Sequence, residues 1–138
     1  MGEEKREEIL RVLVKLEETM VVEGCAQDAI MIAFSGEAGG PYFHGRVLPH
    51  GVDTQKRPKG EKARLSARYM LEGEDDRGEK CRMFIENNGM EDADGVLRTR
   101  PMILTDSASL AWMEQAALTG TVEGADDGVV IRIYAEDR

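Results

Sequence analysis

Apolar residues in this chain recur mainly at alternate positions, in short runs separated by glycine clusters, which is the signature of many brief strands joined by turns. The clearest run spans Ala63 to Glu72. It places Leu65, Ala67, Tyr69 and Leu71 on one side and Arg64, Ser66, Arg68 and Met70 on the other. The acidic turn GEDDRG follows, and then Cys81, Met83 and Ile85 alternate against Arg82, Phe84 and Glu86. The two runs therefore predict an antiparallel hairpin, with Asn87 to Gly89 ending its second strand. Ile9 to Glu17 fits either a helical stripe or an alternating strand, and the β-branched Val12 and Val14 favour the strand. In Ala29 to Phe34 both faces are apolar. Ser35 to Pro41 predicts a turn, and beyond it Phe43 and Val47 share one face while Tyr42, His44 and Arg46 share the other.

Leu48 to Lys62 is polar and punctuated by Pro49, Gly51, Pro58 and Gly60, so it predicts a long loop of the kind that borders a site. Val96 to Thr105 is extended, with Pro101 demanding an edge or a bend because it has no N–H for a ladder. The pattern then changes. Asp106 or Ser107 is placed to cap a helix carrying Leu110, Met113 and Ala117 on one face, and Gly120 is placed to end it. Thr121, Val122, the turn GADDG and Val129 to Ala135 supply a last extended pair. Seven to nine strands and one helix predict an all-β fold: an antiparallel β-barrel with one C-terminal helix, whose closure removes exposed sheet edges. Residues 1–8 are expected to be a charged tail and residues 9–138 a single domain, which suits a chain of 138 residues.

Composition narrows the function classes. Lys and Arg number 18 against 27 Asp and Glu, and the net charge of −9 would repel a phosphate backbone, so no nucleic-acid partner is expected. No apolar run is long enough to span a membrane as a helix, and MGEEKREE does not resemble a secretory signal, so a cytoplasmic location without a membrane partner is expected. Cys25 and Cys81 lack metal spacing and are expected to be reduced, structural thiols.

The order Gly40-Pro41, Gly45, Val47-Leu48-Pro49, Gly51, Asp53, Leu65, Ala67-Arg68-Tyr69, Asp76, Gly78, Gly89, Arg98-Thr99, Pro101 and Trp112 resembles the domain-of-unknown-function family 3237, also called uncharacterised protein family 0311. The resemblance runs from Ile9 to Ala135. It implies a small β-barrel of calycin or lipocalin-like appearance, with no assigned chemistry for most members. Three positions depart from the family pattern near the implied cavity: His50 stands for a small residue, Thr54 for a tryptophan and Ser66 for an aspartate.

Among candidate chemical groups, Asp53 and Arg68 form the leading pair, because a carboxylate and a guanidinium enclosed together would each need the other. In a cavity Asp53 would act as general base, Arg68 would stabilise a developing enolate or bind a carboxylate, and His50 would assist as acid or base. A structural salt bridge is the alternative role for the pair. Arg68 and Tyr69 are neighbours in a strand, so one of them faces inward; the polar face of Arg64, Ser66, Arg68 and Met70 is expected to line the lumen. Arg46, Ser66, Met70, Glu86 and Thr99 are accordingly expected to contact ligand. The basic group Lys56, Arg57, Lys59, Lys62 and Arg64 would either steer an anionic molecule to the barrel mouth or be a solvated loop.

Other chemistries fit less well. His44, His50 and Asp53 have poor spacing for a metal, and the acidic turns GEDDRG and EDADG lack the ligand series of a calcium loop, so no metal is expected. Ser107 and Ser109 have no nucleophile elbow or partner His. No nucleotide, flavin or nicotinamide motif is present, so no organic cofactor is implied. The expected function is therefore small-molecule binding, with cofactor-free isomerisation or cyclisation by proton transfer on a carbonyl or carboxylate metabolite. A filled, non-enzymatic barrel assembling as a homo-oligomer is the rival; the fold leaves a homo-oligomer as an expected partner state in either case.

Overall fold

A computed structural model describes residues 5–91 and 97–137. Asp92 to Gly95 of the EDADG turn and the first four residues of the expected tail lie outside the described residues. The strands are β1 (Arg6–Glu23), β2 (Gln27–Gly39), β3 (Phe43–Val47), β4 (Gly51–Pro58), β5 (Arg64–Asp75), β6 (Lys80–Glu91), β7 (Leu97–Thr105), β8 (Leu118–Ala125) and β9 (Gly128–Glu136). All pairings are antiparallel. β3 and β4 follow one another between β2 and β5, as one strand broken at Leu48 to His50, and β1 closes on both β2 and β9. The ring thus has eight positions, and the all-β antiparallel barrel expected from the alternation is the fold.

Three boundaries differ from the sequence expectation. Residues 6–8 are not tail; they pair with Glu136, Ala135 and Tyr134 of β9. Ser35 to Gly39 continues β2 because it is held by β1 on one side and, at Glu37 and Ala38, by β3 on the other. Most of the expected polar loop is β4, whose Gly51 to Pro58 is laddered to β2, with Val52 to Lys56 also paired to β5. Partners on both flanks override the weak strand propensity of this polar segment. Asn87 to Gly89 likewise continues β6 instead of ending it, since β5 and β7 both pair there.

Pro101 obeys the edge rule within a closed barrel. β7 pairs with β8 only at Leu97, Arg98 and Thr99, so the ladder has already parted where the proline lacks its N–H. The expected helix is present but shorter and tighter, a single 3-10 segment over Ala108–Glu114. Ser107 occupies its N-cap position, but its side chain makes no capping hydrogen bond. Its hydroxyl instead donates to the Asp75 carboxylate at 2.8 Å. With three residues per turn, Leu110 and Met113 stack on one side and are both fully buried in one end of the barrel, an arrangement that contributes about 1.5–3 kcal/mol per side chain. Trp112 packs beside them, edge-on to Tyr42 at 5.2 Å. Gly120, expected to end the helix, lies in β8 opposite Ile133.

The core fills the helix end with Leu10, Phe43, Leu71, Met83, Ile85, Ile103 and Ile133. Cys81 belongs to this core and Cys25 is exposed; both are free thiols. Burial, reinforced by the charges of Asp75 and Asp106, pushes the Cys81 thiol up to about 11, which leaves it protonated and unreactive at neutral pH.

Candidate functional site

Toward the end away from the helix the inward side chains shorten and become mixed, leaving a cavity of about 170 Å³. Its walls are mainly Val14, Ile32, Phe34, Leu65, Val122 and Ile131, and its polar groups are Asp53 and Gln55 of β4, Asn87 of β6 and Thr99 of β7. Register explains the convergence. Asp53 lies opposite Ala67, and Ala67 lies opposite Asn87, so two polar side chains flank a methyl group on one inward row. Thr99 lies between Gly89 of β6 and Gly120 of β8. A Cβ on Gly120 would strike the Thr99 hydroxyl, and one on Gly89 would come within 2.7 Å of its methyl, so these glycines make the space that Thr99 occupies.

Gln55 Nε2 donates to Asp53 Oδ2 at 2.8 Å, while Asp53 Oδ1, Asn87 Oδ1 and Thr99 Oγ1 are buried without a hydrogen-bond partner. Burial raises the Asp53 carboxyl above its usual range, and the Gln55 hydrogen bond opposes that shift only in part. This is the setting of a carboxyl able to exchange a proton at milder pH than a solvated one. Beneath the cavity Tyr69 meets Phe34 edge-on at 5.3 Å, and its buried hydroxyl also lacks a partner. Desolvation drives the Tyr69 phenol far above its ordinary value, so it remains a neutral donor.

The expected lumen face is reversed. Tyr69 is 3% exposed and points into the core with Leu65, Ala67 and Leu71, whereas the Arg68 side chain is 67% exposed and lies 3.4 Å from Glu86 on the outer surface. A closed barrel turns the apolar face of each strand inward, so the alternation in Ala63 to Glu72 already carried this orientation. The Asp53–Arg68 pair therefore does not form, and neither a shared role in the cavity nor a salt bridge between them is present.

Of the other expected contacts, Thr99 alone lines the cavity. Ser66, Met70 and Glu86 share the outer face with Arg68, and Arg46 lies outside beside Glu72 at 3.8 Å. His50 is exposed at the break between β3 and β4 and does not line the cavity, and His44 is exposed on β3. Among the described residues no group of three His, Cys, Asp or Glu is placed to hold a metal. Gln55 and Asn87 were missed, although each is a polar residue at an inward phase; Asn87 in particular interrupts the series Cys81, Met83, Ile85.

Ser107 and Ser109 serve the closed end. Asp75 accepts from both hydroxyls, at 2.8 and 3.3 Å, and from the backbone N–H groups of Arg77 and Glu79, at 2.9 and 3.0 Å. These four donors, the Ser107 hydroxyl foremost, hold the Asp75 carboxyl below its usual range.

The model of a family described as "Protein of unknown function (DUF3237)" matches residues 5–95. A UPF0311 protein of Clostridium acetobutylicum is 31% identical, over 72% of each chain. A crystal structure of a protein with unknown function from the same organism superposes with a TM-score of 0.83 at 24% identity, covering 99% of both chains. A beta-barrel-like protein from Acinetobacter baumannii gives 0.78 at 18% identity, over 99% of this chain and 98% of that one. A structure described as an enzyme from Penicillium herquei gives 0.74 at 15% identity, over 99% and 100%. The solved structures share the barrel fold over nearly the whole chain; by the family match and the 31% identical relative, the chain belongs to the DUF3237 family of proteins of unknown function.

Proposed function

We propose that the cavity binds a small, largely apolar molecule bearing a carbonyl or carboxylate, and that Asp53 moves a proton on it in a cofactor-free isomerisation or cyclisation. The observation that carries this reading is the set of three buried oxygens on one cavity wall, Asp53 Oδ1, Asn87 Oδ1 and Thr99 Oγ1, none with a protein partner. An unpaired buried polar group costs about 1–3 kcal/mol; Asp53 Oδ1 and Asn87 Oδ1 need a donor while Thr99 Oγ1 is able to donate, so the three favour an occupant that carries a hydroxyl as well as its carbonyl or carboxylate oxygen. A void of about 170 Å³ suits a molecule near the size of a single ring, or the reacting end of a longer one extending past Leu16 at the mouth.

In the proposed step the ionised Asp53 takes a proton from carbon beside the carbonyl. The C–H electron pair moves onto the carbonyl oxygen, where the Thr99 hydroxyl and the Asn87 amide N–H groups are the available donors. Return of the proton at another atom completes an isomerisation, with no net oxidation and no added reactant. A structure of the same fold described as an enzyme supports the barrel as a scaffold for catalysis in another chain.

The test is a thermal-shift screen of small cyclic ketones and carboxylic acids on the wild-type chain and on Asp53→Asn, followed by deuterium exchange into any compound that binds. Stabilisation by a compound, with solvent deuterium entering it only when Asp53 is present, is the expected result. Equal exchange by Asp53→Asn would refute the role of Asp53, and the absence of any binder would refute the cavity reading.

A second reading, assembly as a homo-oligomer, is favoured by a different observation. Met70, Phe84 and Leu104 align across the outer face of β5, β6 and β7, with Met70 and Leu104 exposed. Light scattering of the wild type and of Leu104→Glu tests it: a dimer that the charge dissociates supports this face as the contact, and a wild-type monomer removes it.

A further inference from the structure

The outer face of β4, β5 and β6 carries a second concavity, of about 500 Å³, separated from the cavity by the sheet itself. Its floor follows from register. Thr54, Ser66 and Asn88 lie directly opposite one another on a single outward row, and all three are short. Long side chains stand on both sides of that row: Lys56 opposite Arg64 on one flank, and Arg68 opposite Val52 on the other. The result is a trough with a neutral hydrogen-bonding floor and cationic walls. A neighbouring depression shares Lys56 and Arg64 and adds Lys62 against the single carboxylate of Glu61, so a net basic character continues along the barrel.

This concentration is unusual in a chain of net charge −9. At physiological ionic strength charges beyond about 8 Å are largely screened, so an approaching anion would respond to these local cations more than to the distant excess of carboxylates. The floor supplies a further sign. Ser66 Oγ is buried and has no hydrogen-bond partner, which leaves one hydroxyl unpaired between the two cationic walls. Glu86 is the carboxylate that engages this face: it lies 3.4 Å from Arg68 Nε, and its other oxygen accepts from Asn88 Nδ2 at 2.9 Å.

We propose that this trough is a binding site for the phosphate group of a small organic phosphate. Lys56, Arg64 and Arg68 neutralise the dianion, Thr54 and Ser66 donate hydroxyl hydrogen bonds, and the apolar part of the ligand rests on Met31 and Val52. A phosphate presents several acceptors in a tetrahedral array, which matches donors arriving from the floor and from both walls; a single carboxylate would leave part of that set unused. Glu86 is a built-in competitor for Arg68 and Asn88. Its presence gives the site a property that a merely basic surface would not have: removing a charge from Glu86 tightens binding beyond the general electrostatic effect of removing one elsewhere.

The experiment titrates the full chain with phenyl phosphate and, separately, inorganic phosphate, by calorimetry and by amide chemical shifts, near 150 mM salt. Phenyl phosphate is expected to shift the amides of Thr54, Ser66 and Asn88. Lys56→Gln with Arg64→Gln is expected to weaken it at least about tenfold, and Glu86→Gln to tighten it several-fold. Glu123→Gln, on the distant β8, controls for net charge and leaves the affinity unchanged. Tighter binding of phenyl phosphate than of inorganic phosphate identifies an organic ester as the fitting source, and equal binding reassigns the trough to free phosphate. Absence of binding by the wild type, retained affinity in the double variant, or an equal response to Glu86→Gln and Glu123→Gln would overturn the proposal. Asp53→Asn leaves this binding unchanged, so failure here and failure of the cavity reading are separate results.

Discussion

Replacing Tyr69 by Phe is expected to stabilise this protein, although it deletes a polar group from the centre of a folded domain. The hydroxyl is fully enclosed and has no protein partner, while the ring is fixed by Phe34 and by the layer of Leu65, Ala67 and Leu71. Removing the oxygen preserves the ring volume and that edge-on contact. What disappears is the desolvation of an unpaired hydroxyl, worth about 1–3 kcal/mol. For a domain of 138 residues the unfolding entropy is about 0.3 kcal/mol/K, so each kcal/mol raises the melting temperature by roughly 3–4 °C. The expected gain for Tyr69→Phe is therefore about 3–10 °C in calorimetry, with a parallel rise in urea midpoint at unchanged m-value. A fall of more than about 1 kcal/mol would refute the reasoning, because it would mean that the hydroxyl is satisfied in the folded protein. Tyr69→Leu provides the contrast: it discards the ring as well and is expected to destabilise by about 2–4 kcal/mol through the void left beside Phe34.

Further expectations follow from two of the perturbed carboxyls and from one close approach. Asp53 has a raised folded pKa, so the unfolded chain releases its proton first and the contribution of this residue to stability declines as pH rises through that interval; denaturation midpoints of wild type and Asp53→Asn between pH 3 and 8 should diverge accordingly. Asp75 has the opposite sign. Its folded pKa is lowered, so its contribution is complete above the unfolded value and is lost as pH falls through the folded one, and Ser107→Ala should make acid unfolding begin at a higher pH. Gly51→Ala should destabilise by about 1–3 kcal/mol in urea melts, since the new Cβ would sit 2.8 Å from the Phe34 ring; a neutral effect would show that the ring has room to move.

Much of the barrel was legible because alternation is a local property. Leu65 to Leu71 and Cys81 to Ile85 announce their strands and their shared hairpin with no reference to the rest of the chain, although the polar face expected to line the lumen is the outer one. β4 was not legible, since Asp53, Thr54, Gln55, Lys56 and Arg57 give no apolar rhythm and become a strand because β2 and β5 lie on either side with unpaired backbone groups. The 3-10 segment was half legible: the spacing of Leu110 and Met113 fits three residues per turn as well as it fits an α-helix, so the pattern alone did not distinguish the two.

The same division holds for the site. Sequence alone determined that Asp53 and Thr99 were worth singling out and that Arg68 and Tyr69 must face opposite ways, because side chains of adjacent strand residues always do. Closure of the ring decided the rest. It sent the apolar side of β5 and β6 inward, moved Arg68 outside to Glu86, and set Asp53, Asn87 and Thr99 around one space from positions 34 and 12 residues apart in the chain. Register between strands is fixed by hydrogen bonds and packing across the whole barrel, and no stretch of sequence contains it by itself.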